Sequence, residues 1–237
     1  MLTSNKIKFI MLLINKKRKK NKKMTTLLII LAHPHTDDFS WSLATVEEFK
    51  KSYQESHPLD KIIIRDLFSE KVPALDNETF AAWKRNKYTP DLLNEADKNL
   101  LHRHEEYLEE FLSADKYVFV NPMYNGFVTA ELKQYIDVIA VPRKLFRYTE
   151  NGPIGLLEGK KSLHIQSAGG FYHNEQDPTH MANDLGAAYI DQTMKMVGIT
   201  DENRKQLFVE GYARYPERSA ELKEKAFTNA EKIGQSF

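Results

Sequence analysis

The stretch TLLIIL at residues 26–31 decides the fold of this chain. It is a continuous apolar run followed by polar residues, which is typical of a buried strand in a parallel sheet. Similar apolar runs follow at residues 61–66 (KIIIRD), 116–120 (KYVFV), 161–166 (KSLHIQ) and 206–210 (QLFVE). The sequence therefore predicts five strands that lie buried between other layers of the protein.

Segments with helical spacing of their apolar residues separate these strands. They predict helices at residues 42–51, 91–112, 129–140, 181–197 and 216–233. This alternation indicates an α/β fold, a doubly wound five-stranded parallel sheet with helices on both faces. Ligands of such sheets bind beyond the carboxyl ends of the strands, so the loops after strands one, three and four form the candidate site. The connections at 68–90 and 142–159 are unusually long, and we expect them to line or cover that site.

The first 23 residues differ in charge from the rest of the chain. They hold nine lysines and arginines and no acidic residue, and since the whole chain carries +1, residues 24–237 carry −8. An acidic domain is a poor partner for nucleic acid. The apolar run at residues 9–14 is far shorter than the ~20 residues of a membrane span. We predict a disordered basic extension at 1–23, with Met24 as an alternative initiator, and one domain at 24–237.

Composition excludes several further classes of protein. The chain contains no cysteine, so disulfides, iron–sulfur clusters and thiol nucleophiles are excluded. Its mean hydropathy of −0.54 excludes a polytopic membrane protein. A chain without disulfides fits a reducing compartment, and we predict a cytoplasmic protein.

The loop after the first strand contains no glycine, because every glycine lies at or after Gly126. A Walker A loop and a G-x-G-x-x-G dinucleotide motif are therefore excluded there. Ser40 and Ser42 fall at the start of the first helix instead. Serine hydroxyls and free N–H groups at a helix N-terminus can bind a phosphate. Simple N-capping by Ser40 is the alternative.

Two further loops lie where the fold predicts ligand contact. They are NPMYNG at residues 121–126 and SAGG at residues 167–170. Their backbone groups can contact the edge of a flat heteroaromatic ring, and Met123 and Tyr124 can pack against that ring. A tight Asn-Gly turn and an ordinary Gly-Gly loop are the alternatives.

The sequence resembles the FMN-dependent NADH-azoreductase family in three strings, FRYTENGP at 146–153, PMYN at 122–125 and SAGG at 167–170. Members are flavodoxin-like NAD(P)H:quinone oxidoreductases, and the resemblance covers about residues 26–216. It implies a flavodoxin-like homodimer with FMN as cofactor and NADH, or NADPH, as co-substrate. It also implies ping-pong hydride transfer to quinones or azo compounds, with no metal and no obligatory catalytic side chain.

The resemblance assigns residues of this sequence to the site. Trp41 stands where the family usually has glutamine, Gly126 where it has phenylalanine, and Ala168 where arginine is frequent. Tyr172 and His173 can support catalysis by donating a hydrogen bond to a hydroquinone anion, or can form a plain surface pair. The substrate-binding residues by resemblance are Asn125, Phe146 and Tyr148. The cofactor-binding residues by resemblance are His33, Ser40, Trp41, Ser42, Pro122, Met123, Tyr124, Asn125, Gly126, Ser167, Ala168, Gly169 and Gly170.

Two other functions remain open from the sequence. The stretch AHPHTDD at 32–38 is similar to the A-H-P-D-D motif of zinc N-deacetylases. A zinc-dependent hydrolase would use the loop from His33 to Asp38, with His33, His35 and Asp37 as the suspected metal-binding residues. The third possibility is a flavodoxin-like module without catalytic activity.

Overall fold

The computed structural model describes residues 24–34, 40–181 and 183–237, so the predictions for residues 1–23 and for the loop at 35–39 lie outside the described residues. The strands are β1 (Thr26–Leu31), β2 (Lys61–Asp66), β3 (Lys116–Pro122), β4 (Phe146–Thr149), β5 (Gly152–Gly155), β6 (Lys161–Ala168) and β7 (Arg204–Glu210). The helices are α1 (Trp41–Ser56), α2 (Asn77–Tyr88), α3 (Glu95–Ser113), α4 (Ala130–Ile139), α5 (Leu185–Met196) and α6 (Ser219–Ser236).

The central sheet has five strands in the order β2-β1-β3-β6-β7, and all four neighbouring pairs are parallel. In the middle of the sheet, Ile29 pairs with Ile64 of β2 on one side and with Val118 of β3 on the other. The strand order reverses at β1, which is the switch point of a doubly wound sheet. The predicted five-stranded parallel sheet is therefore confirmed.

Side chains of β1 alternate between two separate cores. Leu28 and Ile30 belong to a core that includes buried residues of α3, α4 and α5. Leu27 and Ile29 belong to a second core with buried residues of α1 and α6. Because successive residues of a strand point to opposite faces, an unbroken apolar run requires a helical layer on each side. Helices therefore cover both faces, as the sequence predicts.

Two helices begin four residues later than the apolar spacing predicts, because capping side chains set their first residues. The helices predicted at 91–112 and 181–197 begin at Glu95 and Leu185. Asn94 and Asp97 form a capping box, so α3 begins at Glu95, and the residues Pro90–Leu92 before it form a separate 3-10 turn. Asp184 accepts a hydrogen bond from the Ala187 N–H at 2.7 Å, so α5 begins at Leu185. Capping is decided by single polar side chains, which hydrophobic periodicity does not register.

The two long connections each contain regular secondary structure that the apolar spacing did not predict, and their role in lining or covering the site stays a prediction. Helix α2 lies within residues 68–90, capped by Asp76, whose side chain accepts from the Thr79 N–H at 2.9 Å. The antiparallel hairpin β4–β5 lies within residues 142–159. Helix α2 has a mixed polar sequence. It buries Thr79 and Ala82, its start is capped, and Arg85 pairs with Asp97 of α3.

A buried polar cluster closes the amino end of the sheet. Asp60, just before β2, has a side chain only 3% exposed. It accepts hydrogen bonds from Tyr53 at 2.6 Å and from the Thr25 N–H at 3.1 Å, and Lys116 Nζ lies 3.6 Å away. Burial alone would raise the pKa of Asp60, but these hydrogen bonds and the lysine charge outweigh it and lower the pKa to about 2. The cluster joins α1 to the first residues of three strands.

Replacing this carboxylate tests the cluster. We expect Asp60→Ala to lower the free energy of unfolding by about 3 kcal/mol at pH 7, because it leaves the Tyr53 hydroxyl without its acceptor and removes the carboxylate nearest the buried Lys116 charge. The folded pKa lies below the unfolded value of about 3.9, so the contribution is full at neutral pH and is lost as pH falls from about 4 towards 2. Urea unfolding at several pH values measures it. The control is Glu55→Ala, at an exposed position of α1; equal losses in both variants would contradict the prediction.

Candidate functional site

The N-terminus of α1 has the features of an anion-binding site. Ser40 caps the helix by accepting from the Leu43 N–H at 3.3 Å, and its hydroxyl lies 3.3 Å from that of buried Ser42. The first turn of α1 contains no acidic residue. The positive end of the helix dipole therefore keeps its attraction for an anion, and two hydroxyls lie beside it. N-capping by Ser40 is confirmed, and it does not exclude phosphate binding.

The loop after β3 is a tight turn. Tyr124 and Phe127 exchange two backbone hydrogen bonds of 3.0 Å each. Asn125 and Gly126 between them have φ angles of +53° and +74°, which is the left-handed backbone of a type I′ turn. The Asn-Gly turn expected as an alternative is thus present. It leaves the N–H groups of Asn125 and Gly126 without a hydrogen bond to any described residue.

The loop after β6 is held by backbone bonds on two sides. The Ser167 carbonyl accepts from the Met123 N–H at 2.7 Å, which joins this loop to the turn after β3. On the other side, the Gly211 N–H donates to the carbonyls of Ala168 and Gly170 at 3.2 and 3.1 Å. The carbonyls of the loop are therefore occupied. The N–H groups of Gly169 and Gly170 make no hydrogen bond to described residues, so this loop also presents free donors.

Tyr212 is a site residue that the sequence analysis missed. Its ring stacks on Trp41 with centroids 4.9 Å apart and planes 17° apart. Burial raises the pKa of the Tyr212 hydroxyl, and the nearby Ser167 side chain offsets part of that rise. Tyr212 thus connects the start of α1 with the loop after β6. Tyr212 follows β7, the fifth strand of the sequence prediction. That prediction considered only the loops after its first, third and fourth strands.

His173 is exposed, as the surface interpretation of the Tyr-His pair expects, but its ring makes defined contacts. Its Nδ1 lies 2.8 Å from Glu210 Oε1, and its ring stacks on Phe208 with centroids 3.6 Å apart. The other Glu210 oxygen accepts from the N–H groups of Tyr172 and His173, both at 3.1 Å. Glu210 therefore holds the chain that follows the loop after β6. A glutamate at the end of the apolar run QLFVE is the sequence signal that could have identified it.

His173, Glu210 and Asp184 also bring their ligand atoms within 4.8 Å of one another. Both Asp184 oxygens are already hydrogen-bonded, one to the Ala187 N–H and the other to the Gln166 amide. Since both carboxylates are engaged by N–H donors and the imidazole is bound to Glu210, the group is a hydrogen-bond junction within the described structure. It is distinct from the loop at 33–38 that the hydrolase alternative requires.

The structure does not bring every predicted residue to this edge of the sheet. His33 is buried directly after β1, while His35, Asp37 and Asp38 lie outside the described residues. Phe146 is 5% exposed and belongs to the core, and its role as a substrate-binding residue stays a prediction. Tyr148 is 74% exposed, on a hairpin that follows the end of α4 and so lies toward the amino end of the sheet.

The remaining predicted cofactor residues do lie together. Pro122 is buried in the last position of β3, Met123 is half-buried and Tyr124 is exposed at the edge of the turn. Residues at the ends of β1, β3 and β6 meet because neighbouring parallel strands end at the same side of the sheet. The result is an open edge with an anion-binding helix N-terminus and two donor-rich loops.

An open parallel sheet with these features at its carboxyl edge is the arrangement of a protein that binds a phosphate-bearing flat ligand. Residues 25–233 match the model of a family described as having a flavodoxin-like fold. The chain belongs to this family, which confirms the predicted flavodoxin-like fold.

Named relatives and solved structures agree with this membership. The FMN-dependent NADH:quinone oxidoreductase 1 of Lactococcus lactis is 94% identical over 88% of this chain and 97% of its own length. The FMN-dependent NADH:quinone oxidoreductase 2 of Lactiplantibacillus plantarum is 48% identical over the same shares. The crystal structure of an FMN-dependent NADH-azoreductase from Bacillus anthracis in complex with FMN has a TM-score of 0.80 and 30% identity, covering 90% of this chain and 99% of that one.

The helices of the described ranges are too short or too polar to cross a membrane. None of them combines the length and the apolar composition that crossing a bilayer requires.

The contact between Gly211 and the loop after β6 can be tested by adding a methyl group. Gly211 has φ +81°, and a Cβ at this position would overlap the ring of buried Phe171. We expect Gly211→Ala to lower the free energy of unfolding by about 3 kcal/mol, because strain and overlap add.

The matched control is Gly126→Ala. Gly126 has φ +74°, but a methyl group added there would have no neighbour within 4 Å, so only backbone strain of about 1 kcal/mol is expected. Urea unfolding followed by tryptophan fluorescence compares the two variants. If both lose the same amount, the packing of Gly211 against Phe171 is not what holds the loop.

Proposed function

We propose that this protein is an FMN-dependent NADH:quinone oxidoreductase that also reduces azo compounds. The observation that carries the proposal is the carboxyl edge of the sheet. It has a helix N-terminus with two serines and two loops with four N–H groups that make no hydrogen bond to described residues. The 94% identical relative from Lactococcus lactis bears the quinone oxidoreductase name, and a structural neighbour is an azoreductase. These relatives do not favour the zinc hydrolase or the module without catalytic activity.

The chemistry of the donors fits FMN. A phosphate needs hydroxyl and N–H donors and positive potential, which Ser40, Ser42 and the N-terminus of α1 supply. A flavin ring presents nitrogen and carbonyl acceptors along its edges, which require donors. The free N–H groups of Asn125, Gly126, Gly169 and Gly170 match that need.

The residues of this chain bind and orient, while the cofactor carries the electrons. When bound, FMN supplies a ring that takes hydride from NADH and passes two electrons to the acceptor. The N–H groups of Asn125 and Gly126 would hold the ring edge and stabilise negative charge on it. Asn125 would contact both cofactor and substrate, since it lies at the exposed tip of the turn. No side chain is required as nucleophile or base.

His173 and Tyr172 stay predictions as donors to a hydroquinone anion. The bond from Glu210 to the imidazole and to both backbone N–H groups fixes this segment next to the loop after β6. His173 would then be placed by Glu210 rather than by solvent. The side chain is about one third exposed, so a proton from water can reach it.

We also propose a homodimer in which Tyr148 completes the site of the neighbouring subunit. Tyr148 is 74% exposed on the hairpin β4–β5, and Ile154 on the paired strand is 45% exposed. Exposed apolar side chains on a projecting hairpin favour a protein interface. Light scattering that gives a mass near that of one chain would contradict the dimer. The use of NADPH and the cytoplasmic location stay predictions, to be tested by steady-state kinetics and cell fractionation.

The first test of the function is optical. We expect the purified protein, reconstituted with FMN, to show a flavin absorption spectrum that bleaches on anaerobic addition of NADH and returns with a quinone. Initial rates at several NADH and quinone concentrations should give the parallel double-reciprocal lines of ping-pong kinetics. A protein that takes up no FMN, or holds FMN that NADH does not bleach, would reject the proposed function.

A second test addresses the predicted binding residues by FMN affinity. Loss of the stack in Tyr212→Leu should raise the Kd for FMN about tenfold, and loss of the hydroxyl alone in Tyr212→Phe about threefold. Tyr215→Phe is the matched control. Tyr215 lies in the same loop after β7 as Tyr212, but its ring packs on Phe171 and not on Trp41. Quenching of FMN fluorescence measures the Kd. An unchanged Kd in Tyr212→Leu would remove the Trp41–Tyr212 pair from the cofactor site.

A further inference from the structure

A cavity of about 520 Å³ lies away from the carboxyl edge of the sheet, between α2, α3 and the end of α4. Its apolar wall is formed by Phe80, Trp83, Leu101, Leu108, Val138 and Val141. The cavity is within the size range of small-molecule sites, roughly 300–1,000 Å³. Helix α4 has ten residues, so about 15 Å of helix separates this cavity from the turn after β3.

His104 is the unusual group of this cavity. Its side chain is 5% exposed, and neither ring nitrogen has a hydrogen-bond partner among the described residues. Burial lowers its pKa, and the nearby Ala74 carbonyl offsets only part of that fall. At neutral pH the imidazole is therefore uncharged and offers one donor and one acceptor. A buried polar group without a partner is unfavourable, so a ligand that supplies the partner gains affinity.

The wall of the cavity selects the rest of the ligand. The rings of Phe80 and Trp83 meet edge to face at 5.3 Å, and Trp83 meets the His104 ring at 5.5 Å. Such surfaces favour another flat aromatic ring. His104 is the buried polar residue of the lining, while the other polar lining residues, such as Glu105 and Lys144, lie at more exposed positions.

The charges around the cavity argue for a neutral ligand. Glu105, Asp137 and Lys144 line it, and the Asp137 carboxylate is paired with Lys133 at 2.6 Å. No concentration of one charge sign remains among these described residues to hold an ion. The structure thus combines an apolar aromatic wall with one uncharged, unpartnered hydrogen-bonding group.

We propose that this cavity is a second binding site, separate from the cofactor site, for a neutral aromatic ring that carries one hydroxyl or carbonyl group. Trp83 and Phe80 pack against the ring, and His104 hydrogen-bonds to its polar group. The site does not depend on FMN, so it goes beyond the proposed oxidoreductase activity and can be tested apart from it.

Calorimetric titration of the FMN-loaded protein with 2-naphthol tests the site, with naphthalene as the probe that lacks the hydroxyl. An eleven-atom ligand of ordinary efficiency should bind with a Kd of about 100 µM. His104→Leu should weaken 2-naphthol about tenfold and change naphthalene less than about twofold. His104→Gln restores a donor and an acceptor, and should keep 2-naphthol within about threefold of the original protein.

Two more variants distinguish binding in the cavity from binding elsewhere on the protein. Ala140→Phe fills the cavity from its lining and should abolish binding of both probes. His102→Leu is the matched control, since His102 lies on the same helix with a side chain 72% exposed, and both probes should bind as before. FMN content and quinone reduction should stay within about twofold in all four variants.

Each contrary outcome overturns the proposal in a recognisable way. If Ala140→Phe still binds 2-naphthol and the probe competes with quinone, the probe occupies the cofactor site. If Ala140→Phe changes the mass measured by light scattering, the cavity belongs to a subunit interface. If His104→Leu weakens both probes equally, His104 only shapes the wall. Loss of quinone reduction with unchanged probe binding would count against the proposed function and not against this site.

Discussion

Burial of the middle strands on both faces is the constraint on which the rest of this structure depends. β1 and β3 are apolar along most of their length, so each needs a helical layer above and below. Helices on both faces force every connection to cross from one end of the sheet to the other. All five strands of the central sheet then end at the same edge, and the connections that follow them diverge to opposite faces at β1. The candidate site is thus a consequence of core burial rather than an addition to it.

The two ends of the sheet treat their polar groups in opposite ways. At the amino end, Asp60, Tyr53 and Lys116 satisfy one another in a buried cluster. At the carboxyl end, the carbonyls of the loop after β6 are occupied, while several N–H groups make no hydrogen bond within the described part of the chain. The amino edge of the sheet is thus stabilised internally, while the carboxyl edge keeps hydrogen-bond donors available. Water can bond to N–H groups on a surface loop until a ligand replaces it.

Backbone contacts explain why the site tolerates unusual side chains. The loops after β3 and β6 are joined through Met123 and Ser167 by main-chain atoms, and Gly211 binds the second loop in the same way. Glycine at position 126 and alanine at position 168 therefore leave this framework in place. What changes is the surface around it, where Trp41 and Tyr212 form a stacked pair.

The sequence by itself determined the sheet, the layers and the edge that carries the site, because these follow from local periodicity and from where the glycines and serines fall. Strand-long apolar runs such as TLLIIL have one stable environment, and Asn125-Gly126 has one favoured turn. Only the tertiary structure decided that Tyr212 reaches Trp41, that Glu210 holds His173 and that Phe146 is buried while Tyr148 is exposed. Those outcomes join residues far apart in the chain. They depend on packing between elements, which no short stretch of sequence records.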